Sequence, residues 1–186
     1  MKIYYREKSG GIEILRCFGI EGRVEIPGMI DGKLVISAAP YAFSSHMDEK
    51  EELKNASLWE VSEGLGFGRE EHVLAGNDVE EIVFPYTLKE IGRYIFYGCG
   101  NLKKLEFSDS LMQIGCGAFT GCHALEKLTV HMRQGKKSGV KEMLGEMWQR
   151  IDVNFLYEYE EARLVFPEHY DCLLYTSPSP RDLSTS

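Results

Sequence analysis

The chain has 186 residues, 44% of them hydrophobic and 27% charged, with a formal net charge of −8 at pH 7. This composition fits one globular domain with its own core and excludes a disordered chain. The acidic balance argues against binding to nucleic acid or to an anionic membrane, because such binding depends on dense lysine and arginine. No apolar run is long enough for a membrane helix or a signal peptide. We therefore expect a cytoplasmic protein whose partner is another protein.

The first predicted element is an antiparallel β-hairpin. Residues 3–6 and 12–15 are rich in isoleucine and tyrosine, and the glycine-containing turn 8–11 lies between them. An open end of a β-structure exposes apolar side chains and unpaired strand edges. We therefore expect residues 1–22 to form a capping hairpin on the unit that follows.

A repeat with a constant spacing dominates the middle of the chain. Strand-like alternation occurs at residues 81–84, and the same pattern returns 23 residues later at 104–107 and again at 127–130. Similar residues recur at this spacing in nine columns, which are Ile82/Leu105, Phe84/Phe107, Leu88/Leu111, Ile91/Ile114, Gly92/Gly115, Phe96/Phe119, Gly98/Gly121, Cys99/Cys122 and Leu102/Leu125. An isolated unit of this size cannot bury so many apolar residues, so the units must stack as coils of a solenoid.

A looser copy of the unit precedes the regular ones, at residues 24–26 and 41–44. The predicted solenoid therefore covers residues 23–131, with an insertion at about 46–78. Within the insertion, a charged helical pattern is followed by apolar residues that either dock as a small plug or belong to a loop. These are Leu58, Trp59, Val61, Leu65 and Phe67.

The motifs of these units resemble the bacterial BspA-like leucine-rich repeats, in which Ile-Pro, Ile-Gly, Ala-Phe and Gly-Cys follow one another. The sequence has Ile26-Pro27, then Ile91-Gly92, and finally IGCGAFTGC at 114–122. It departs from the family at Ile95 and Ser108, where Ala and Pro are usual. The resemblance implies a curved solenoid with short parallel strands on its concave side and a non-catalytic role in binding macromolecules.

The same resemblance leaves alternatives open. Many relatives are secreted or attached to the cell surface, so a surface adhesin is the alternative function and the cell surface the alternative location. A third alternative is the repeat region of an enzyme or regulator whose active domain lies farther along the chain.

The solvent-facing residues of the predicted strands are the candidate binding site. If Ile82, Leu105 and Leu128 point into the core, the residues that alternate with them form two columns on the concave face. The predicted contact residues are Glu81, Val83, Lys104, Glu106, Lys127 and Thr129.

Residues 132–170 predict a helix that is N-capped by Ser138 and runs to about Arg150, followed by two strands that form a β-hairpin. Val153 and Phe155 lie in the first strand, and Leu164 and Phe166 in the second. This part is either a C-terminal cap or the start of a further domain.

The end of the chain resembles translated synthetic DNA. Residues 172–182 are similar to one reading frame of the transposase adapter used to prepare sequencing libraries. We therefore expect residues 171–186 to be a non-native tail, and the natural protein to be longer and to continue differently near Tyr170.

Catalytic and metal-binding patterns are weak throughout. Cys99 and Cys122 share one repeat position and predict a ladder of packed thiols. Cys122 and His123 do not form a nucleophile and base, because adjacent residues on an extended backbone point apart. No CxxC or HxxxH spacing suggests zinc. The prediction is a non-enzymatic protein without cofactor or metal.

Overall fold

The regular units fold into a parallel β-sheet. In the computed structural model, which describes residues 1–61, 71–135, 138–145 and 152–158, the chain is mostly strands with two short α-helices. The strands are β1 Lys2–Lys8, β2 Gly11–Gly19, β3 Arg23–Glu25, β4 Met29–Ile30, β5 Lys33–Ala38, β6 Ser57–Glu60, β7 His72–Val73, β8 Glu81–Val83, β9 Glu90–Ile91, β10 Lys104–Ser108, β11 Gln113–Ile114, β12 Lys127–Arg133 and β13 Asp152–Glu158. The α-helices are α1 Glu49–Glu52 and α2 Val140–Leu144, and a short 3₁₀ helix covers Gly76–Asp78.

The first sheet has five parallel strands in the order β13-β12-β10-β8-β3. Leu105 of β10 lies opposite both Ile82 of β8 and Leu128 of β12, which confirms the repeat spacing predicted from the sequence. All three side chains are fully buried. Alternation places them in the core and turns their neighbours in the sequence to the other side of the sheet. The chain is thus a solenoid in which each successive coil adds one strand to this sheet.

The other side of the solenoid is a second sheet, in which β5, β9 and β11 lie side by side in parallel. Glycine is required there because the coils come very close together. A Cβ atom on Gly115 would lie 2.2 Å from the backbone nitrogen of Arg93, and one on Gly92 would lie 2.4 Å from that of Pro40. The Ile-Gly motif thus follows from the spacing between coils.

A column of phenylalanines fills the core between the two sheets. The rings of Phe43 and Phe96 have centroids 5.9 Å apart, and those of Phe96 and Phe119 are 5.7 Å apart. Phe43 and Phe96 are fully buried, whereas Phe119 is half-buried. Each coil contributes one ring to the column, so contacts between the rings link the core of one coil to the next.

The N-terminal strands β1 and β2 form the antiparallel hairpin that the sequence predicts. The hairpin extends the second sheet, because β2 pairs with β5 in parallel. The insertion adds strands to the same unit, as β6 pairs with β1 and β7 with β2. Within the insertion, Trp59 is half-buried, Leu58 and Val61 are exposed, and Leu65 and Phe67 lie outside the described residues.

The C-terminal part continues the solenoid. β13 was expected in a hairpin, but its described partner is β12, with which it pairs in parallel along its whole length. Helix α2 precedes it and buries Val140 and Leu144. The remainder of the predicted helix, the predicted strand with Leu164 and Phe166, and the tail 171–186 lie outside the described residues. The domain boundaries at 22, 131 and 170 stay predictions.

Candidate functional site

The candidate site is the outward side of the five-stranded sheet, here called the sheet face. Strand pairing places its side chains in two rows that cross all five strands. The first row is Arg23, Glu81, Lys104, Lys127 and Asp152. The second row is Glu25, Val83, Glu106, Thr129 and Asn154. The six residues predicted from the sequence thus lie together in the middle of this face.

The six predicted residues differ in exposure. Lys104 and Lys127 are exposed, and Glu81, Val83 and Glu106 are half-buried. Thr129 is only 4% exposed, so it offers almost no surface to a partner. The face therefore presents five of the six side chains, and the role of each in binding stays a prediction.

The first row contains a bridged carboxylate. Glu81 lies 3.8 Å from the guanidinium of Arg23 on one side and 3.9 Å from the ammonium of Lys104 on the other. Both distances are long for an ion pair, and Arg23 and Lys104 are more than half exposed. Such pairs contribute little to stability, so these side chains remain available to a partner.

The second row leads into a hydrogen-bonded cluster. Nε2 of His131 lies 3.3 Å from the Glu106 carboxylate, and Nδ1 of His131 lies 3.4 Å from the Tyr86 hydroxyl. The tyrosine and histidine rings also meet edge to face, with centroids 5.5 Å apart. The hydrogen bond from His131 lowers the pKa of Glu106 below its usual 4.5 and outweighs the opposing effect of partial burial.

Sequence reasoning missed several residues of this face. Arg23 and Glu25 belong to the looser first copy, whose strand alternation could have been extended to them. Asp152 and Asn154 were missed because the chain between β12 and β13 contains a helix and is longer than the chain between the earlier strands. His131 was missed because its contacts with Glu106 and Tyr86 involve side chains that do not recur in the repeat.

The connector after β12 is held by a buried acid. The Asp109 side chain is fully buried and accepts hydrogen bonds from the backbone N–H and from Nε of Arg133, at 2.8 and 3.3 Å. Arg133 is therefore engaged within the protein. Lys136 and Lys137, the other basic residues of the connector, lie outside the described residues.

The repeated cysteines form a ladder of hydrogen-bonded thiols. The Cys99 thiol donates to the carbonyl of Phe43 at 3.1 Å, and the Cys122 thiol donates to that of Phe96 at 3.3 Å. Burial raises the pKa of Cys99 to about 11 and that of Cys122 to about 12. These groups are protonated donors near neutral pH, and a nucleophile would have to be a thiolate.

Metal sites and membrane-spanning helices are both absent from the described part of the chain. There, no group of three or more His, Cys, Asp or Glu side chains is placed to hold a metal ion. Among the same residues, no helix has the length and apolar character needed to cross a bilayer. Location in the cytoplasm, and the cell surface as its alternative, both stay predictions.

Comparison with solved structures finds two leucine-rich repeat proteins. One is a leucine rich cell surface protein from Faecalibacterium prausnitzii A2-165, with 18% identity over 70% of this chain and a TM-score of 0.43. The chain spans 30% of the length of that structure. The other is the leucine rich repeat protein of T. pallidum, with 19% identity, coverage of 95% and 93% of the two chains, and a TM-score of 0.33.

Comparison of sequences identifies the repeat itself. No curated protein matches the chain. Residues 70–139 match the family model described as "BspA type Leucine rich repeat region (6 copies)". These residues contain the two regular units together with β12, where the coils stack in the register of the repeat. Residues 70–139 are thus similar to a BspA-type leucine-rich repeat region.

Proposed function

We propose that the chain is a non-catalytic module that binds a protein partner through the sheet face. The observation that carries this proposal is the pair of registered rows across five adjacent strands. They supply charged groups of both signs, an amide and a half-buried valine on one surface. Mixed polar and apolar surfaces of this kind are typical of non-obligate protein interfaces.

The area of the sheet face is smaller than a standard protein interface. Five strands span about 19 Å at the usual spacing of about 4.8 Å, and five residues of a strand extend about 16 Å. This area of about 300 Å² falls short of the roughly 800 Å² that a standard interface buries on each side. A partner must therefore also contact residues outside the two rows, among them Tyr86 and His131.

The charges favour a protein over nucleic acid. Four carboxylates belong to the two rows, on Glu25, Glu81, Glu106 and Asp152. A continuous phosphate backbone laid across the face would meet these groups and be repelled. A protein surface can instead alternate the sign of its charges to match.

The proposal of a non-catalytic role rests on how the polar groups are engaged. The one histidine of the face, His131, has both ring nitrogens within 3.4 Å of another side chain, Glu106 or Tyr86. Its partners are a carboxylate and a phenol, and the two thiols of the core donate to backbone carbonyls. This arrangement orders the side chains of a binding surface.

A photocrosslinking amino acid at position 83 tests the proposal. Val83 lies in the middle of the sheet face, and Met112, which is 74% exposed, provides a control position in the loop that leads into β11 of the second sheet. A partner captured at position 83 but not at 112 would be identified, purified and titrated against Val83→Arg and Met112→Arg. We expect Val83→Arg to weaken binding at least about tenfold and Met112→Arg to leave it unchanged. Equal crosslinking at both positions, or equal affinity of both variants, would overturn the proposal.

A further inference from the structure

Two lysines occupy neighbouring places at the middle of the first row. Lys104 and Lys127 lie directly opposite each other on β10 and β12. Both are exposed, so their ammonium groups are available to solvent and to a partner. Like charges directly opposite in a sheet are destabilising. A negative group from a partner, placed between them, would relieve this repulsion.

The nearby carboxylates of the chain do not fill that place. Glu81 lies on the far side of Lys104, between it and Arg23. Glu106 is hydrogen-bonded to His131. Asp152 is opposite Lys127 on β13, but among the described residues the ammonium of Lys127 takes part in no ion pair or hydrogen bond. An incoming carboxylate would thus find one cation that, among the described residues, attracts Glu106 without an ion pair or hydrogen bond, and one held only at 3.9 Å.

The charges of the row specify what must lie beside that carboxylate. From β3 to β13 the row is positive, negative, positive, positive, negative, because Arg23, Glu81, Lys104, Lys127 and Asp152 follow one another. The point midway between the two lysines lies one and a half strand spacings from Glu81 and from Asp152, which is about 7 Å. An extended chain advances about the same distance over two residues.

We propose that the partner crosses the sheet face with an extended segment of the pattern basic-x-acidic-x-basic. Its acidic side chain lies between Lys104 and Lys127, and its two basic side chains lie over Glu81 and Asp152. This inference rests on the proposed function, since it names the chemistry of the segment that the sheet face binds. The opposite pattern, acidic-x-basic-x-acidic, would place like charges together at all three points and be rejected.

Short blocked peptides test the pattern without knowledge of the partner. The probes are Ala-Lys-Ala-Glu-Ala-Lys-Ala, the same peptide with glutamine in place of glutamate, and the charge-reversed Ala-Glu-Ala-Lys-Ala-Glu-Ala. Each is titrated to millimolar concentration into the full chain labelled with ¹⁵N, and amide shifts are followed by NMR. We expect the first peptide to shift the amides around Lys104 and Lys127 and to bind about threefold to fivefold more tightly than the glutamine peptide.

Two matched variants distinguish binding between the two lysines from a general effect of the net charge of the chain. Lys127→Gln should abolish the preference for glutamate over glutamine. Lys103→Gln removes the same charge one residue before the pair, where Lys103 is already bonded to Glu80 at 3.0 Å, and should preserve the preference. Added salt should weaken the preference, because the pairs are exposed.

The outcomes distinguish this inference from the proposed function. Equal affinity for the glutamate and glutamine peptides, tighter binding of the reversed peptide, or no shifts at all would overturn the charge pattern. The proposed function would still stand if the partner crosslinked at position 83 requires the sheet face. If no partner crosslinks there, the proposed function fails, and the inference fails with it.

Discussion

The regular coils and the N-terminal unit satisfy the same backbone groups by different means. In the coils, the N–H of Phe43 donates to the carbonyl of Ile95 in the next coil, and that of Phe96 donates to Ala118. At the equivalent position of the first coil, the carbonyl of Ala42 has no earlier coil to supply an N–H. It accepts instead from the guanidinium of Arg16, at 3.1 Å.

Arg16 also binds groups next to the Ala42 carbonyl. Its guanidinium also donates to the carbonyl of Ser44 at 2.7 Å, and it pairs with Glu49 of α1 at 2.9 Å. The residue is only 3% exposed, and burial lowers its pKa against the opposing effect of Glu49. Within the repeat, backbone N–H groups of one coil donate to the carbonyls of the next coil. At the end of the repeat, a side chain with several donors must take their place. The fork of N–H groups on an arginine suits that task.

The largest effect should come from the column that the coils share. Phe96 is fully buried between Phe43 and Phe119, so Phe96→Ala should lower the free energy of unfolding by about 3–5 kcal/mol. Phe119 is half-buried, and Phe119→Ala should cost less. Denaturant titration measures both, with the exposed Met112→Ala as control. Equal losses at positions 96 and 119 would contradict the difference in burial.

The next effect tests the end of the solenoid. Arg16→Ala should lower the free energy of unfolding by about 3 kcal/mol, because it leaves buried carbonyls without a donor. Glu49→Gln removes only the exposed side of the cluster, since Glu49 is 39% exposed, and should cost less than about 1 kcal/mol. Thermal unfolding of both variants checks the comparison. A loss for Arg16→Ala no greater than that for Glu49→Gln would show that the carbonyls do not depend on the guanidinium.

The same contrast explains what the sequence could predict about the fold. Residues that recur at a constant spacing predict both where a strand lies and which residue of the next strand it pairs with. The pairing of Leu105 with Ile82 and Leu128 therefore followed from the spacing alone. The role of Arg16 could not be predicted, because the carbonyls that it binds lie 25 to 28 residues away in an irregular copy. The pairing of β13 with β12 was missed since a helix changes the spacing there.

Prediction of the candidate site followed the same rule. The six predicted residues lie on one face because strand alternation is local and repeats with the coil. Burial of Thr129 to 4% exposure could not be predicted, since it depends on the side chains around it. The contacts of His131 with Glu106 and Tyr86 join three coils through side chains that do not recur in the repeat.

A smaller effect concerns the thiol ladder within the coils. Cys99→Ala removes a buried side chain and the donor to the Phe43 carbonyl, and should cost about 1–2 kcal/mol. Cys99→Ser keeps a donor in place and separates the hydrogen bond from the volume of the sulfur atom. Cys116→Ala is the control, because Cys116 is exposed, and should stay within about 0.5 kcal/mol of the parent. Denaturant titration that ranks Cys116→Ala with Cys99→Ala would contradict a structural role for the ladder.

The smallest effect concerns pH and the sheet face. The pKa of Glu106 is lowered in the folded chain, chiefly by its hydrogen bond from His131, so its contribution to stability is present above the unfolded value of 4.5. That contribution disappears as the pH falls through the lower, folded pKa. Glu106→Gln should therefore cost less than about 1 kcal/mol at about pH 5, and the difference from the parent should shrink toward about pH 3. Denaturant titrations across this interval measure it, with Glu25→Gln, 70% exposed, as control. A difference that stays constant or grows toward acid would mean that the carboxylate gains nothing from His131 on folding.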